Sequence, residues 1–213
     1  YMSAKETDIL TSKSLLKKGI AIDRMVESIL IDKKIKANEM FTGDKNALVV
    51  AARISGFGES YDAQITCESC GTTSEHQFDL GEIQTKEIPE DVRFSEYGTF
   101  FVKLPKTEIE AECCLLTGKD ETALVNQADK RKKLKLNDTT MTDQYKMIIV
   151  SLNGVTERSK VEEFVDVMPA MDAMHLRKEY ERARPDVDMT CAFECQQCQA
   201  DNNASIPFSA NFF

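Results

Sequence analysis

Cys195-Gln-Gln-Cys198 is the stretch from which the fold of this chain can be inferred. A second CxxC pair, Cys67-Glu-Ser-Cys70, lies about 125 residues earlier. The segments flanking each pair have the character of β-strands, which predicts two hairpins with a CxxC turn at each tip. Two such hairpins commonly combine into a four-thiolate zinc site. The sequence therefore predicts that one structural Zn²⁺ is bound by four ligands, namely Cys67, Cys70, Cys195 and Cys198.

Other roles for the cysteines are compatible with the same sequence. A redox dithiol normally opens a helix, whereas neither CxxC pair precedes a helical pattern. Cys191 lies on the strand that leads into the second pair and could replace one of the four ligands. Gln199 follows the second pair where Gly71 follows the first, so the second turn is the less regular one. Each pair could also complete a metal site with a neighbouring subunit.

The distance between the two pairs determines the expected domain organisation. If both bind one metal, the chain between them becomes an insertion. We therefore predict an α+β fold with a helical N-terminal segment and an α/β middle region inserted between the two CxxC hairpins of a zinc-ribbon-like unit. The predicted parts are an N-terminal helical region (1–58), a zinc-ribbon-like unit (59–82 and 186–213) and an inserted α+β region (83–185).

Hydrophobic periodicity predicts the elements of the first part of the chain. Apolar spacing indicates a mostly helical stretch over 7–37, in which Asp23 is a candidate helix cap, and a second helix over 46–54. Alternation of apolar and polar residues predicts the two strands of the first hairpin at 61–66 and 75–80.

The inserted region is predicted to contain an antiparallel strand pair followed by four helices. Asp172 is expected to cap the last of these helices and Pro185 to end it. Two further strands are expected to enter and leave the second CxxC pair. The predicted ranges are strands 99–104 and 109–116, helices 120–134, 142–152, 159–167 and 172–184, and strands 188–194 and 205–213.

Composition limits the possible functions. A net charge of -9 argues against a non-specific nucleic-acid binder, which needs a cationic surface. No apolar run approaches the roughly 18 residues that span a membrane, so no membrane association is expected. The sequence shows no secretion signal, which favours cytosolic synthesis and metal binding over disulfides for its seven cysteines. His76 and His175 lack any catalytic motif, and we expect that the chain is not an enzyme.

A basic run ends the helix predicted over 120–134. It comprises Lys130-Arg-Lys-Lys133 together with Lys135. Cations at a helix C-terminus are favoured by the helix dipole, so a solvated helix end explains the run. A surface for an acidic partner is the alternative.

The combined motifs resemble those of T4-type phage baseplate proteins, over nearly the whole chain. In that family a Pro-containing segment, an Asp-containing turn, a CxxC pair and a final Phe-Phe follow one another. The matching segments here are Gly43-Asp44-Lys45, Arg53-Ile-Ser-Gly-Phe-Gly58, Tyr61, Cys67-Glu-Ser-Cys70-Gly71, Phe78-Asp-Leu80, Met168-Pro-Ala-Met-Asp172, Leu176-Arg177, Arg184-Pro-Asp-Val-Asp188, Cys195-Gln-Gln-Cys198 and Ile206-Pro-Phe-Ser-Ala-Asn-Phe-Phe213. The chain departs from the family in having Asp186 where the turn often has Gly.

The resemblance implies a structural component of a contractile phage tail baseplate, in the hub or inner baseplate. Its partners would be other baseplate and tail proteins, and homo-oligomeric contacts within the baseplate are a further option. The implied location is the virion tail, with the host cytoplasm during assembly. We expect docking surfaces at residues 9–37 and 206–213.

Two other functions remain open at this point. The chain could be a transient tail assembly chaperone that is absent from the mature virion. It could also be a zinc-ribbon module for nucleic acid, which the net charge disfavours.

Overall fold

The computed structural model of the chain describes residues 2–17, 19–206 and 212–213. Helices and strands both contribute, and the four CxxC cysteines cluster, which confirms the predicted α+β class. The chain divides into two compact units. Unit 1 comprises Tyr1–Ala37, Gly43–Lys86 and Asp186–Phe213, and unit 2 comprises Asn38–Thr42 and Glu87–Pro185. The three-part domain division drawn from the sequence stays a prediction.

The secondary-structure elements are numbered in chain order. The helices are α1 (Ala4–Thr11), α2 (Lys13–Lys17), α3 (Ala21–Ile29), α4 (Thr42–Phe57), α5 (Gly118–Lys133), α6 (Thr140–Ile148), α7 (Arg158–Val167) and α8 (Ala170–Ala183). The strands are β1 (Ser60–Thr66), β2 (Thr73–Asp79), β3 (Gln84–Thr85), β4 (Thr99–Lys103), β5 (Glu110–Cys114), β6 (Ile149–Leu152), β7 (Val187–Asp188), β8 (Thr190–Glu194) and β9 (Asp201–Ser205). None of the described helices is long and apolar enough to cross a bilayer.

The helices of unit 1 begin with a side-chain link between α1 and α3. The Ser3 backbone N–H donates to Glu6 Oε2 at 2.8 Å, and Ser28 Oγ donates to Glu6 Oε1 at 2.6 Å. The Ser3 hydroxyl also donates to Glu6 Oε2, and the hydrogen bonds from the Ser28 and Ser3 hydroxyls, that of Ser28 first, lower the pKa of Glu6 to about 2. The buried carboxylate therefore caps one helix while it holds the other.

The stretch over 7–37, predicted to be mostly helical, is helical over more than half of its length but is not continuous. Three short helices occupy this range, and residues 30–36 lie outside any helix. Gly19, at φ +68°, allows the break before α3. The buried face of α3 is carried by Met25 and Val26, after which the helical apolar spacing is lost. Asp23 lies in the first turn of α3 rather than at its N-cap, and it forms an ion pair with Lys45 at 3.1 Å.

The strands of unit 1 form three antiparallel pairs: β1 with β2, β3 with β7, and β8 with β9. In β1 every second side chain is buried, namely Tyr61, Ala63 and Ile65, which confirms the predicted alternation. β1 and β2 pair from Ser60 opposite Asp79 to Thr66 opposite Thr73. Each of the longer hairpins thus delivers a CxxC turn at its tip.

The strand that leaves the second CxxC pair, predicted over 205–213, begins earlier than expected: β9 runs from Asp201 to Ser205, and residues 206 and 212–213 lie outside any strand. This strand is polar and carries no apolar alternation that could have indicated it. Ile206 and Phe212 are buried, and the Phe212 ring lies 5.1 Å from that of Tyr61. These two residues pack within unit 1, so they do not form the docking surface expected at 206–213. Residues 207–211 lie outside the described part of the chain.

Unit 2 has a three-stranded antiparallel sheet in the order β4-β5-β6, with a core shared by the sheet and helices α5 to α8. The pairing of β4 with β5, from Thr99 opposite Cys114 to Lys103 opposite Glu110, confirms the predicted strand pair. The largest fully buried side chains of unit 2 are those of Leu104, Ile148, Ile149, Val161, Asp172 and Leu176.

The predicted helix over 142–152 ends early. α6 stops at Ile148, and the chain continues as β6, in which Leu152 pairs with Ala111 of β5. The run Ile148-Ile-Val150 is β-branched, and pairing with the open edge of β5 decides its conformation.

The expected role of Asp172 as a helix cap is also wrong. The N-cap position of α8 is Pro169, and Asp172 lies fully buried within the first turn. Its carboxylate accepts three hydrogen bonds from the β4–β5 turn: from the Lys106 N–H at 2.7 Å, the Thr107 N–H at 3.1 Å and Thr107 Oγ1 at 2.8 Å. Asp172 therefore ties α8 to this turn.

Replacing Asp172 tests this tie. Asp172→Ala leaves two backbone donors without their acceptor, and we expect the free energy of unfolding to fall by about 3 kcal/mol. Asp172→Asn keeps the volume and part of the bonding, so its loss should be smaller. Urea denaturation measures both. Asp129→Ala, at an exposed helical position, is the matched control and should change stability by less than about 0.5 kcal/mol. Equal stability of Asp172→Ala and the control would refute the assigned role.

Candidate metal centre

The first CxxC turn, which we call the first knuckle (residues 67–72), is closed by two backbone hydrogen bonds. The Cys67 N–H donates to the Thr72 carbonyl at 2.9 Å, and the Gly71 N–H donates to the Cys67 carbonyl at 2.8 Å. Gly71 has φ +72°, a conformation that glycine adopts without strain. The turn therefore reverses the chain directly after Cys70.

The second knuckle (residues 195–200) repeats these bonds at the equivalent positions. The Cys195 N–H donates to the Ala200 carbonyl at 3.0 Å, and the Gln199 N–H donates to the Cys195 carbonyl at 2.9 Å. Gln199 has φ +56° and thus occupies the left-handed conformation that Gly71 has in the first knuckle. The missing glycine does not change the turn, although a side chain is strained there.

The two knuckles bring their four sulfur atoms together. Cys67 Sγ lies 3.8 Å from Cys198 Sγ, and Cys70 Sγ lies 3.7 Å from Cys195 Sγ. All four sulfurs lie within 4.8 Å of one another. A disulfide would place two of them about 2.05 Å apart. Four sulfurs bound at about 2.3 Å around a tetrahedral ion are separated by about 3.8 Å, so the arrangement fits a metal centre.

The pKa values of two cluster thiols are shifted in opposite directions. Bonds from the Thr72 hydroxyl and N–H lower the pKa of Cys70 to about 6. The Ala200 N–H favours the Cys198 thiolate, but burial and the neighbouring sulfurs outweigh it and raise the pKa of Cys198 to about 12. Cys70 therefore ionises readily, whereas the proximity of the other sulfurs opposes the ionisation of Cys198. A divalent cation would remove that opposition.

Asn202 on β9 connects the two knuckles and was not predicted from the sequence. Its Nδ2 donates to Cys67 Sγ at 3.5 Å, and its Oδ1 accepts from Ser69 Oγ at 3.3 Å. A polar side chain of this kind orients a thiolate and offsets its charge. Its neighbours in sequence are also polar, so no pattern distinguished it.

Cys191, the alternative ligand considered from the sequence, and the nearby His76 do not join the cluster. Cys191 is not part of the four-sulfur group, and burial raises the pKa of its thiol. The His76 ring packs against the Phe193 ring at 4.6 Å, and its Nε2 lies 2.8 Å from Ser74 Oγ. The structure thus brings together the four cysteines that the sequence singled out, all from one chain. Their role as ligands stays a prediction.

The two knuckles offer a matched pair of substitutions. Gly71→Ala should lower the free energy of unfolding by about 1 kcal/mol, because no atom beyond the two neighbouring residues of the chain lies within 4 Å of the added methyl group and the cost is backbone strain. Gln199→Gly should have the opposite sign, since glycine relieves the strain at φ +56°. Thermal denaturation of both variants in the same buffer measures the effect. Shifts of the same sign would contradict the equivalence of the knuckles.

Comparison with known proteins identifies the family of the chain. A search found no curated protein and no solved structure with significant similarity to the chain. One family model, described as T4 bacteriophage base plate protein, matches residues 2–213, essentially the whole chain. This match confirms the resemblance inferred from the motifs, and the chain belongs to the T4 bacteriophage base plate protein family.

Proposed function

We propose that this protein is a structural component of a contractile phage tail, placed in the hub or inner baseplate, where it holds neighbouring tail proteins through protein–protein contacts. The observation that carries this proposal is the family match over residues 2–213. The proposed role is structural and not enzymatic. The chain would pass through the host cytoplasm during assembly before it reaches the virion tail.

We further propose that the four cysteine sulfurs hold a Zn²⁺ ion. Thiolate ligands and a tetrahedral arrangement are the preferences of zinc in closed structural sites. A bound Zn²⁺ would supply folding free energy and leave no coordination position for a substrate. Cys67 and Cys195 lie buried at the base of the cluster, while Cys70 and Cys198 lie at its exposed side.

The proposed mechanism is geometric, and it begins where the chain leaves and re-enters unit 1. At that point β3 and β7 pair, with Gln84 opposite Asp188, and the Lys86 N–H donates to the Asp186 carbonyl at 2.8 Å. Asn46 Nδ2 on α4 also donates to Asp186 Oδ1, at 3.1 Å. The two ends of the inserted segment are thus fixed side by side, and the metal centre would lock the hairpins that continue from them.

The N-terminal helices offer a candidate docking surface, in the range expected from the sequence. Ile31 is 99% exposed and adjoins an open apolar cavity of about 430 Å³. The cavity is lined by Met2, Ile29, Leu30, Ile31, Asp32, Leu48, Ala51, Ala52 and Ser55. Exposed apolar surface of this kind supports a contact with a neighbouring tail protein.

Quantitative mass spectrometry of purified mature virions, compared with infected-cell lysate, tests the proposed function. We expect a fixed small copy number of this chain per particle. Its presence in the lysate and absence from the particle would instead identify an assembly factor.

A matched pair of variants extends the test: Cys195→Ser should lower incorporation because it removes a sulfur of the cluster, whereas Cys191→Ser, outside the cluster, should be incorporated normally.

A further inference from the structure

Residues 130–136, Lys130-Arg-Lys-Lys-Leu-Lys-Leu136, form a surface that we call the α5 terminal patch. It carries five cationic side chains and no acidic one, in a protein whose net charge is -9. All of its residues except Arg131 are exposed. The patch is therefore a local reversal of the charge of the protein.

The cations of the patch have few internal partners. Arg131 Nε lies 3.7 Å from Asp143 Oδ2 of α6. Within the part of the chain that the structure describes, no ion pair is formed by Lys130, Lys132, Lys133 or Lys135. The helix dipole offers only about half a negative charge at this end, and like charges three or four residues apart repel one another. The dipole accounts for one or two cations but not for five.

Two leucines stand among these lysines. Leu134 is 70% exposed and Leu136 is 55% exposed. Backbone hydrogen bonds fix their positions: the Leu134 N–H donates to the Lys130 carbonyl at 3.1 Å, and the Leu136 N–H donates to the Arg131 carbonyl at 3.0 Å. Lys135 between them has φ +55°, so the chain turns sharply at the helix end. The leucines are thus presented to solvent by an ordered turn.

We propose that the α5 terminal patch binds an acidic protein segment in which apolar side chains alternate with carboxylates. The carboxylates would pair with the exposed lysines, and the apolar side chains would cover Leu134 and Leu136. Nucleic acid fits the patch less well. Its phosphates would make no favourable contact with the exposed leucines, and the patch has no aromatic side chain on which a base could stack. The inference goes beyond the proposed function, since it concerns the chemistry of a partner and holds for a virion subunit and an assembly factor alike.

The proposal can be tested on the purified full-length chain with a fluorescent peptide of alternating Glu and Leu residues as the probe. Fluorescence anisotropy should show binding that weakens at high salt, as expected for exposed charges. A peptide of alternating Glu and Ser should bind more weakly. Replacing Lys130, Lys132, Lys133 and Lys135 by Gln should reduce affinity for the Glu-Leu peptide by about tenfold or more. Leu134→Ser combined with Leu136→Ser should reduce it several-fold, without loss of fold because both side chains are exposed.

The control variant makes the same change in net charge elsewhere on the surface. It replaces by Gln four exposed lysines outside the patch, Lys34, Lys36, Lys103 and Lys178. We expect its affinity for the Glu-Leu peptide to stay close to that of the unmodified protein. Absence of binding, equal losses in the control and patch variants, or no effect of the leucine substitutions would overturn the proposal. Tighter binding of oligothymidine than of the peptide would overturn it in favour of nucleic acid.

Discussion

The two longer hairpins of unit 1 converge on four cysteine sulfurs that lie within 4.8 Å of one another. Without a cation, burial and mutual proximity oppose their joint ionisation, as the high pKa of Cys198 shows. With a divalent ion the same proximity would become favourable, and the two hairpins, whose cysteines Cys70 and Cys195 are 125 positions apart in the sequence, would be joined at their tips.

Unit 2 is held by different means. Its sheet and helices share an apolar core, and the buried Asp172 carboxylate satisfies the donors of the β4–β5 turn. Because buried contacts stabilise unit 2, substitutions on its surface should leave its fold intact. That property agrees with the proposed division of roles, in which the metal centre fixes the chain ends that enter unit 2 and exposed surfaces such as the α5 terminal patch contact partners.

The hairpins of unit 1 could be predicted from the sequence, because CxxC spacing and apolar–polar alternation have direct structural consequences. The CxxC spacing and the alternation in β1 led to the hairpins, and the four sulfurs do meet. Prediction from the sequence failed where tertiary pairing overrides local preference. The sequence of β6 continues a helical pattern, but the segment pairs with β5 as a strand. Asp172 has the position of a helix cap in the sequence, but its carboxylate accepts hydrogen bonds from the distant β4–β5 turn. The polar strand β9 and Asn202 carried no signal, since their positions follow from the knuckle geometry and not from hydrophobicity.

We expect the two knuckles of one chain to enclose one metal ion with four sulfur ligands. Zinc-edge X-ray absorption on the purified protein, together with its metal content, tests this most directly. One zinc per chain with four sulfur neighbours at about 2.3 Å is expected, unchanged in the Cys191→Ser variant. Nitrogen or oxygen ligands around the metal, or a metal-free protein whose thermal stability does not change on addition of zinc, would contradict it.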